Sequence, residues 1–494
     1  MKRCILKQTI ALSVLLCLPF LSTARTLTLE RAIQIANERS FDAQLARFTF
    51  LASYWTFRSW RAELLPAVNL SSSLANFNHS RVATRNYDTG QINYVGNNSL
   101  DNSLTLSLDQ QLPLTGGTVS LQSYLYRLDQ FDYNQTTYNT QPLRVSYTQP
   151  LSSYNEMKWR GKTEPKEYEK AKRIYLESMG DVAINVTSLY FAAVSAQSDY
   201  RQSTRKKNDL EQLYEISQRR FKLGTITKGD LLQLELSLLN TRVEENNAKL
   251  SLDDARYNLF SYLRVNDYDS VTLSTPDYVQ DMVAGADDAV MKAFDSSSHG
   301  LTQEIVLLKA QQELAQAKAT KGLQISLNAE LGLSKTADKF SSAYRNLQDN
   351  EIVGLTLSMP IFDWGVRKGK VMVAKSNLEL AKTQIEQANT DFRQKVRRQA
   401  LQFSSQAAQC RTSHRAEEIS QERYAISKRL FESGSLSVTE LNTALQELET
   451  ARAQYLTQLR TWWTYYYTLR RYTLYDWVTG RPLTANFDAL IEQK

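Results

Sequence analysis

Tyr214-Glu-Ile-Ser-Gln-Arg-Arg-Phe-Lys-Leu-Gly224 and Tyr424-Ala-Ile-Ser-Lys-Arg-Leu-Phe-Glu-Ser-Gly434 carry Tyr, Ile, Ser, Arg, Phe and Gly at the same places, 210 residues apart. Moving outward, Leu231 matches Leu441, Leu238 matches Leu448, Arg242 matches Arg452, and Tyr257-Asn-Leu259 matches Tyr467-Thr-Leu469. Upstream, the same offset pairs Pro150-Leu151 with Pro360-Ile361. Two unrelated amphipathic helices would not keep one register over such a distance, so the pattern reads as a duplicated structural unit.

Each unit reads helix, strand, strand, long helix, turn, helix. The first repeat is placed at 25–264 and the second at 287–476, with a linker at 265–286 and a C-terminal tail at 477–494. Leu27 to Glu63 opens the first, with Thr28 as the cap. After Pro66 the period switches to two. Val68, Leu70 and Leu74 fall on one face, and Asn69, Ser71 and Ser73 on the other. In the second repeat Leu323, Ile325, Leu327, Ala329, Leu331 and Leu333 alternate with polar residues or glycine, and Val353, Leu355, Leu357 and Met359 do the same. Strands of about ten residues with one apolar and one polar face suit a membrane barrel with a wet lumen. A half-buried sheet in a soluble protein has the same alternation. Barrel strands are expected over about 66–152 and about 323–362. A hairpin over about 103–130, turning at Gly116-Gly117, has no counterpart in the second repeat, and either enlarges the barrel or stands off it as a surface loop.

Proline is absent from 166–275, 277–359 and 361–481, which leaves room for long unbroken helices. From Pro165 onward, Val182, Val186, Leu189, Ala193, Ala196 and Tyr200 are spaced as a coiled-coil seam. After a turn, Leu231, Leu234, Leu238, Thr241, Glu245, Ala248, Leu252, Ala255, Leu259 and Tyr262 keep that rhythm with one charged exception. Tip turns are expected at 222–230 and 432–440.

The formal charge of +7, from 59 basic and 52 acidic residues, comes without a basic block, so no nucleic-acid partner is expected. Lys2, Arg3 and Lys7, the apolar run Ile10 to Leu21, and Ser22-Thr23-Ala24 read as a signal peptide over 1–24. Cys17 follows Leu15 and Leu16, where a lipid-anchored N-terminus would want small residues. With Cys4 and Cys17 in the leader, Cys410 stands alone and the mature chain has no cysteine pair to oxidise. After the leader no apolar run reaches the roughly 20 residues of a membrane helix.

No enzyme is expected. His79, His299 and His414 are scattered, and no phosphate loop, dinucleotide glycine pattern or nucleophile elbow occurs, so neither cofactor nor metal is expected. The aromatic run from Trp462 to Trp477 reads as packing where helices meet. Tyr124, Tyr126, Tyr147, Phe340 and Tyr344, on or beside strands, are the candidates for a membrane-interface belt.

The ordered set of elements, repeated twice behind a signal peptide, resembles the TolC family of outer-membrane efflux proteins. The opening Leu27-Thr-Leu-Glu-Arg-Ala-Ile-Gln-Ile-Ala36 carries the resemblance, as do the tip segments Arg220 to Leu231 and Leu430 to Leu441. The resemblance spans nearly all of the mature chain. It implies an α+β membrane protein in which three subunits close one transmembrane β-barrel, continued by a periplasmic α-helical coiled-coil barrel. It implies a passive exit duct of a tripartite efflux or type I secretion system in the Gram-negative outer membrane. Its partners would be a periplasmic adaptor (membrane fusion protein), an inner-membrane pump of the RND, ABC or MFS type, and outer-membrane lipid. The family's adaptor-docking element falls on Leu223, Gly224 and Thr225, and on Ser433, Gly434 and Ser435, where the second repeat keeps only the glycine. The carboxylates that narrow the family's entrance fall on Asp230 and Glu440. Each of these also reads as an ordinary carboxylate at a helix N-terminus. The latch tyrosine and arginine of the family would fall at Phe431 and Leu436, so closure here must use other contacts. The competing reading is a periplasmic coiled-coil scaffold or adaptor without a membrane barrel. The transported substrate and the pump class are not legible.

Overall fold

A computed structural model describes residues 26–152, 154–266, 271–278 and 282–492, with the main chain alone at position 93. The expected signal peptide lies outside the described residues. In chain order the elements are β1 (Thr26–Leu27), α1 (Leu29–Arg39), α2 (Phe41–Glu63), β2 (Ala67–Arg85), β3 (Ile92–Gln111), β4 (Thr118–Gln130), β5 (Gln135–Pro150), α3 (Glu156–Lys222), α4 (Lys228–Leu263), β6 (Thr272–Leu273), α5 (Ala286–Ser296), α6 (Ser298–Lys321), β7 (Gln324–Ala337), β8 (Gln348–Ser358), α7 (Val366–Ser433), α8 (Val438–Thr473), β9 (Tyr475–Asp476), β10 (Arg481–Pro482) and α9 (Phe487–Glu492). They form two compact units. One comprises the residues to Ala46 with Leu176–Lys292 and Val396–Thr484, and the other Arg47–Tyr175, Ala293–Lys395 and Ala485–Lys494.

The second unit is built on a six-stranded sheet in the order β2-β3-β4-β5-β7-β8, antiparallel throughout. Its register sorts the side chains into two faces, because residues directly opposite each other in antiparallel strands share a face. One row reads Val68, Leu108, Leu121, Val145, Leu331. Around it, Leu70 lies opposite Leu106, Leu143 opposite Leu333, and Leu327 opposite Leu355. The other face carries Asn69, Ser107, Asp109, Ser120 and Gln122 from β2, β3 and β4, and Ser146, Glu330, Asn328 and Thr356 from β5, β7 and β8. There Arg144 of β5 reaches Glu330 of β7 at 2.6 Å. The two sides hold through β2, β3, β5 and β7 at these positions. In β8, however, Glu351 and Asp349 lie opposite Leu331 and Leu333, while Ile352 lies opposite Glu330. Toward the end of β4, Arg127 and Asp129 stand on the leucine side.

The hairpin left open by the sequence therefore belongs to the sheet, with β3 and β4 as interior strands. Its turn is held in place. Asn155 Nδ2 donates to Pro113 O at 3.0 Å, and Gln149 Nε2 donates to Thr115 O at 2.9 Å. A methyl group on Gly117 would crowd Gln149 Oε1 and stand 3.0 Å from Thr148 O, so a side chain there would push aside the amide that fastens the turn. The same register corrects the belt assignment. Tyr124 and Tyr126 face Thr105 and Ser103 on the polar side, where their rings stack at 6.3 Å. Tyr147 is on the apolar side opposite Val119 and Ala329. Phe340 packs edge-on against Tyr138 at 5.8 Å and Tyr344 at 5.3 Å.

Helix α3 starts at Glu156, before Pro165, where the sequence reading opened it. Asn155 Oδ1 accepts from Lys158 N at 2.9 Å and so starts the helix. Pro165 lies on an exposed face, and the carbonyl it deprives of a partner is that of exposed Gly161, which water can serve.

In the first unit the buried stripe of α3 is wider than a two-helix seam. Val182, Ala183, Val186, Tyr190, Phe191, Ala193 and Val194 are all buried, while Leu189 and Ala196 are only half-buried. The cause is a second neighbour, the parallel pair β1-β6. Tyr190 Oη lies 2.6 Å from both Leu27 O and Ser274 O, and Gln197 bonds the Leu273 main chain through N–H and C=O. An 18-residue window of α3 reaches a mean hydropathy of 1.2, and half of it is buried within the protein. The aromatic run of α8 packs as expected. Trp462, Trp463, Tyr466 and Tyr467 are buried, and Phe403 lies 5.5 Å from Trp462. Cys410 is a free, buried thiol whose pKa burial pushes up to about 11.

Candidate functional site: the paired helix tips

Both hairpins of the first unit turn by the same chemistry. Helix α3 ends on Gly224 at φ +73°, and α7 on Gly434 at φ +86°, the left-handed conformation that favours glycine. Thr225 N then donates to Arg220 O at 3.0 Å, and Ser435 N to Leu430 O at 2.9 Å, closing the last turn of each helix. The next helix opens on a reciprocal cap. Asp230 N donates to Thr227 Oγ1 at 3.1 Å while Thr227 N donates to Asp230 Oδ2 at 3.2 Å. Glu440 N and Ser437 Oγ, with Ser437 N and Glu440 Oε2, repeat the pattern at 3.2 and 3.1 Å. Each such cap is worth about 1 kcal/mol. The two carboxylates singled out in the sequence are thus both the third residue of their helices, bonded to their own caps.

The tips are tied to each other. Leu210, Leu213, Leu234, Leu238, Phe431, Val438 and Leu441 form one buried cluster, with Tyr214, Tyr424 and Leu436 packed against it. Phe431 and Leu436, the positions of the family's latch, are apolar packing residues here. Polar ties lie elsewhere. Arg220 Nη1 donates to Phe431 O at 3.1 Å and Nη2 to Glu432 O at 2.9 Å. The last carbonyls of a helix lack intrahelical donors, so a guanidinium fork there supplies both hydrogen bonds and favourable charge. Nearer the helix interior, Asp209 accepts from Tyr424 Oη at 3.1 Å and faces Lys428 Nζ at 2.6 Å. Sequence reasoning missed Asp209, Arg220 and Lys428. At the 210-residue offset they stand opposite Ile419, Leu430 and Gln218, so the departures from the repeat were the available signal.

A cleft of about 410 Å³ opens between the tips, lined by Arg220, Thr225, Asp230, Ser433, Gly434 and Ser437 among others. Asp230 is half-buried in it, and Glu440 is exposed outside its lining. Leu223 is 78% exposed, and a methyl group on Gly224 would meet nothing within 4 Å. On Gly434 it would meet Arg220 Nη2 at 3.0 Å. Ser433 Oγ is engaged at home, donating to Leu430 O at 2.9 Å. The first tip therefore offers a bare apolar knob, and the second a small polar surface. Among the described residues no group of three or more His, Cys, Asp or Glu is placed to hold a metal ion.

A sheet apolar on one face and polar on the other, in a chain whose long helices end in capped, mutually tied tips, is the arrangement an outer-membrane channel protein requires. The model of the family described as "Outer membrane efflux protein" matches residues 32–263 and 298–473. The chain belongs to the outer membrane efflux protein family. No curated protein matches it in sequence. Among solved structures it is similar to the CmeC outer membrane channel of Campylobacter jejuni, with 14% identity over 94% of this chain and 88% of that one, at a TM-score of 0.62. It is similar to the outer membrane protein VceC of Vibrio cholerae, with 12% identity over 92% and 97% of the two chains, at 0.62. It is also similar to the MtrE outer membrane channel of Neisseria gonorrhoeae, with 15% identity over 92% and 91%, at 0.61. The protein is an outer-membrane efflux channel, and the scaffold reading is not favoured.

Proposed function

We propose that three copies of the chain close one transmembrane barrel, from which their helices continue as a periplasmic coiled-coil barrel. Each chain contributes through two repeats, at 25–264 and 287–476. The duct is passive. An inner-membrane pump of the RND, ABC or MFS type supplies the cargo, and a periplasmic adaptor joins the pump to the helix tips through Leu223, Gly224 and Thr225 and through Ser433, Gly434 and Ser435. Asp230 and Glu440, three times each, ring the entrance. The chain catalyses nothing and takes no cofactor.

One observation carries this reading: the sheet is open. Its end strands β2 and β8 are not paired with each other, and β2 is exposed along its whole length. Hydrocarbon cannot satisfy the main-chain groups of an open strand edge, so a sheet with this apolar face needs further copies to close it. The exposed Leu223 beside an unobstructed Gly224 supports the docking assignment.

The test is biochemical. The mature chain should require detergent for extraction, migrate as three crosslinked subunits, and form ion-conducting pores in planar bilayers. A monomer that stays in solution without detergent would remove the proposal. For docking, cysteine placed at Leu223 should crosslink to the adaptor, and labelling confined to other surfaces would reject that site.

A further inference from the structure

We infer that the assembled barrel wall has eighteen strands, six from each chain, and that the β3-β4 hairpin is the part that widens it. The inference rests on the threefold assembly proposed above and adds the strand count, and with it the size of cargo that the outer-membrane segment admits.

Four observations place the hairpin in the wall. β3 pairs with β2 over the full span Ala67↔Asp109 to Arg85↔Ile92, and β4 pairs with β5 from Thr118↔Thr148 to Gln130↔Gln135. Both strands continue the apolar side, with Leu104, Leu106, Leu108, Leu121 and Leu125, and the polar side, with Ser107, Asp109, Ser120 and Gln122. A hairpin lying over the sheet, or plugging its lumen, would have no reason to keep a lipid-compatible face in register with its neighbours. The turn between them is fastened to Asn155, at the start of α3, and to Gln149, at the end of β5. The strand count of six is even and every pair is antiparallel. β2 and β8 therefore run in opposite directions, and β8 of one copy meets β2 of the next as an antiparallel pair, the arrangement shared by bacterial outer-membrane barrels.

Strand number fixes width. With strands about 4.8 Å apart and tilted by about 40°, a wall of eighteen strands has a main-chain diameter of roughly 36 Å, and one of twelve roughly 24 Å. Barrels of sixteen to eighteen strands leave an aqueous channel after their side chains are accommodated. Such a lumen, lined by serine, asparagine, glutamine and the Arg144–Glu330 pair, admits polymeric polar cargo as well as small molecules.

The sheet itself supplies the test. The β2-β3 loop at 86–91 and the β4-β5 loop at 131–134 lie at the same end of the sheet, so deleting Ile92 through Gln130 lets β2 pair directly with β5, still antiparallel. The intact protein and the deletion variant are purified in detergent and imaged along the barrel axis. Wall diameter should fall by about a third, from roughly 36 to roughly 24 Å, with three subunits in both. Three subunits with an intact wall near 24 Å, or a wall unchanged by the deletion, overturns the inference and leaves the threefold assembly standing. A different subunit number overturns the assembly instead. Should the deletion variant fail to fold, the intact diameter still decides. A scan of cysteine pairs between β2 and β8, around Ser71→Cys and Thr356→Cys in a Cys410→Ser background, tests the closure that a wall of either width requires. Intersubunit disulfides are expected, and their absence at every register overturns the threefold assembly and the strand count with it.

Discussion

Tyr424 on α7 donates its phenolic hydrogen to the Asp209 carboxylate on α3 at 3.1 Å, and Lys428, one turn further along α7, holds the other oxygen at 2.6 Å. One carboxylate thus serves two donors across the two long helices, beside the apolar cluster that joins the tips. Burial first, and then the Asp209 charge, pushes the phenol well above its ordinary range. A folded pKa raised above the unfolded value, about 10 for tyrosine, contributes stability that is whole below that value and fades only as pH rises through the folded one. At neutral pH Tyr424 therefore remains a donor. Removing the shared acceptor should be worse than removing one donor. Asp209→Ala strands both partners and should cost about 2–3 kcal/mol, whereas Tyr424→Phe leaves the Asp209–Lys428 pair and should cost about 1 kcal/mol. Thermal unfolding of the detergent-extracted protein measures both. The reverse order would remove Asp209 as the hub.

Arg220 makes a second tie of different geometry. Its two terminal nitrogens reach the adjacent carbonyls of Phe431 and Glu432 at 3.1 and 2.9 Å, a span that a single ammonium does not reproduce. Arg220→Lys should therefore behave nearer to Arg220→Ala than to wild type in protease nicking at 432–436. Rescue by lysine to wild-type resistance would show that charge alone suffices.

The two tip glycines separate backbone strain from crowding. Gly224 and Gly434 share positive φ, so alanine at either should cost about 1–2 kcal/mol for the left-handed backbone. At Gly224 nothing else stands in the way, but at Gly434 the new methyl group meets the Arg220 guanidinium at 3.0 Å. Gly434→Ala should thus destabilise more than Gly224→Ala in the same melting experiment, and the excess should vanish in an Arg220→Ala background. Equal costs in the presence of Arg220 would mean that the guanidinium moves aside freely.

Much of this was legible because it depends on period. Alternation along 323–333 and 353–359 and the heptad spacing along 231–262 fix which side chains share a face, and the structure keeps both. What failed was information that lives between elements. Proline alone suggested a boundary at 165, but Asn155 starts the helix and an exposed face tolerates the ring. The α3 stripe read as a coiled-coil seam, without Tyr190 and Gln197, because β1-β6, which they bond, consists of two-residue strands with no pattern of their own. Parity within β4 already set Tyr124 and Tyr126 on the face away from Val119, Leu121 and Leu125, a signal the belt assignment passed over, and the register then put them opposite threonine and serine. The tip ties were hidden for a related reason. A repeat draws the eye to matching residues, and Asp209, Arg220 and Lys428 are places where the match breaks.

Glu440 has a local duty and a proposed collective one, and chemistry separates them. The Ser437 N–H and then the Ser437 hydroxyl donate to its carboxylate, holding its pKa below the ordinary value of 4.5. A depressed folded pKa contributes stability that is present above the unfolded value and is lost as pH falls through the folded one. At neutral pH each copy accordingly presents a carboxylate, with the cap intact. Glu440→Gln keeps an oxygen that can accept from Ser437 and removes only the charge, and Asp230→Asn does the same at the first tip. If the cap were the whole role, the double variant would conduct as wild type does. If three copies place these groups around an entrance, cation preference should fall when the charges go. Reversal potentials under a potassium chloride gradient in planar bilayers decide, with the melting midpoint as the control for the cap. The expected result is a shift toward non-selectivity with the trimer still folded at the temperature of the recording. An unshifted reversal potential in the double variant would confine both carboxylates to helix capping.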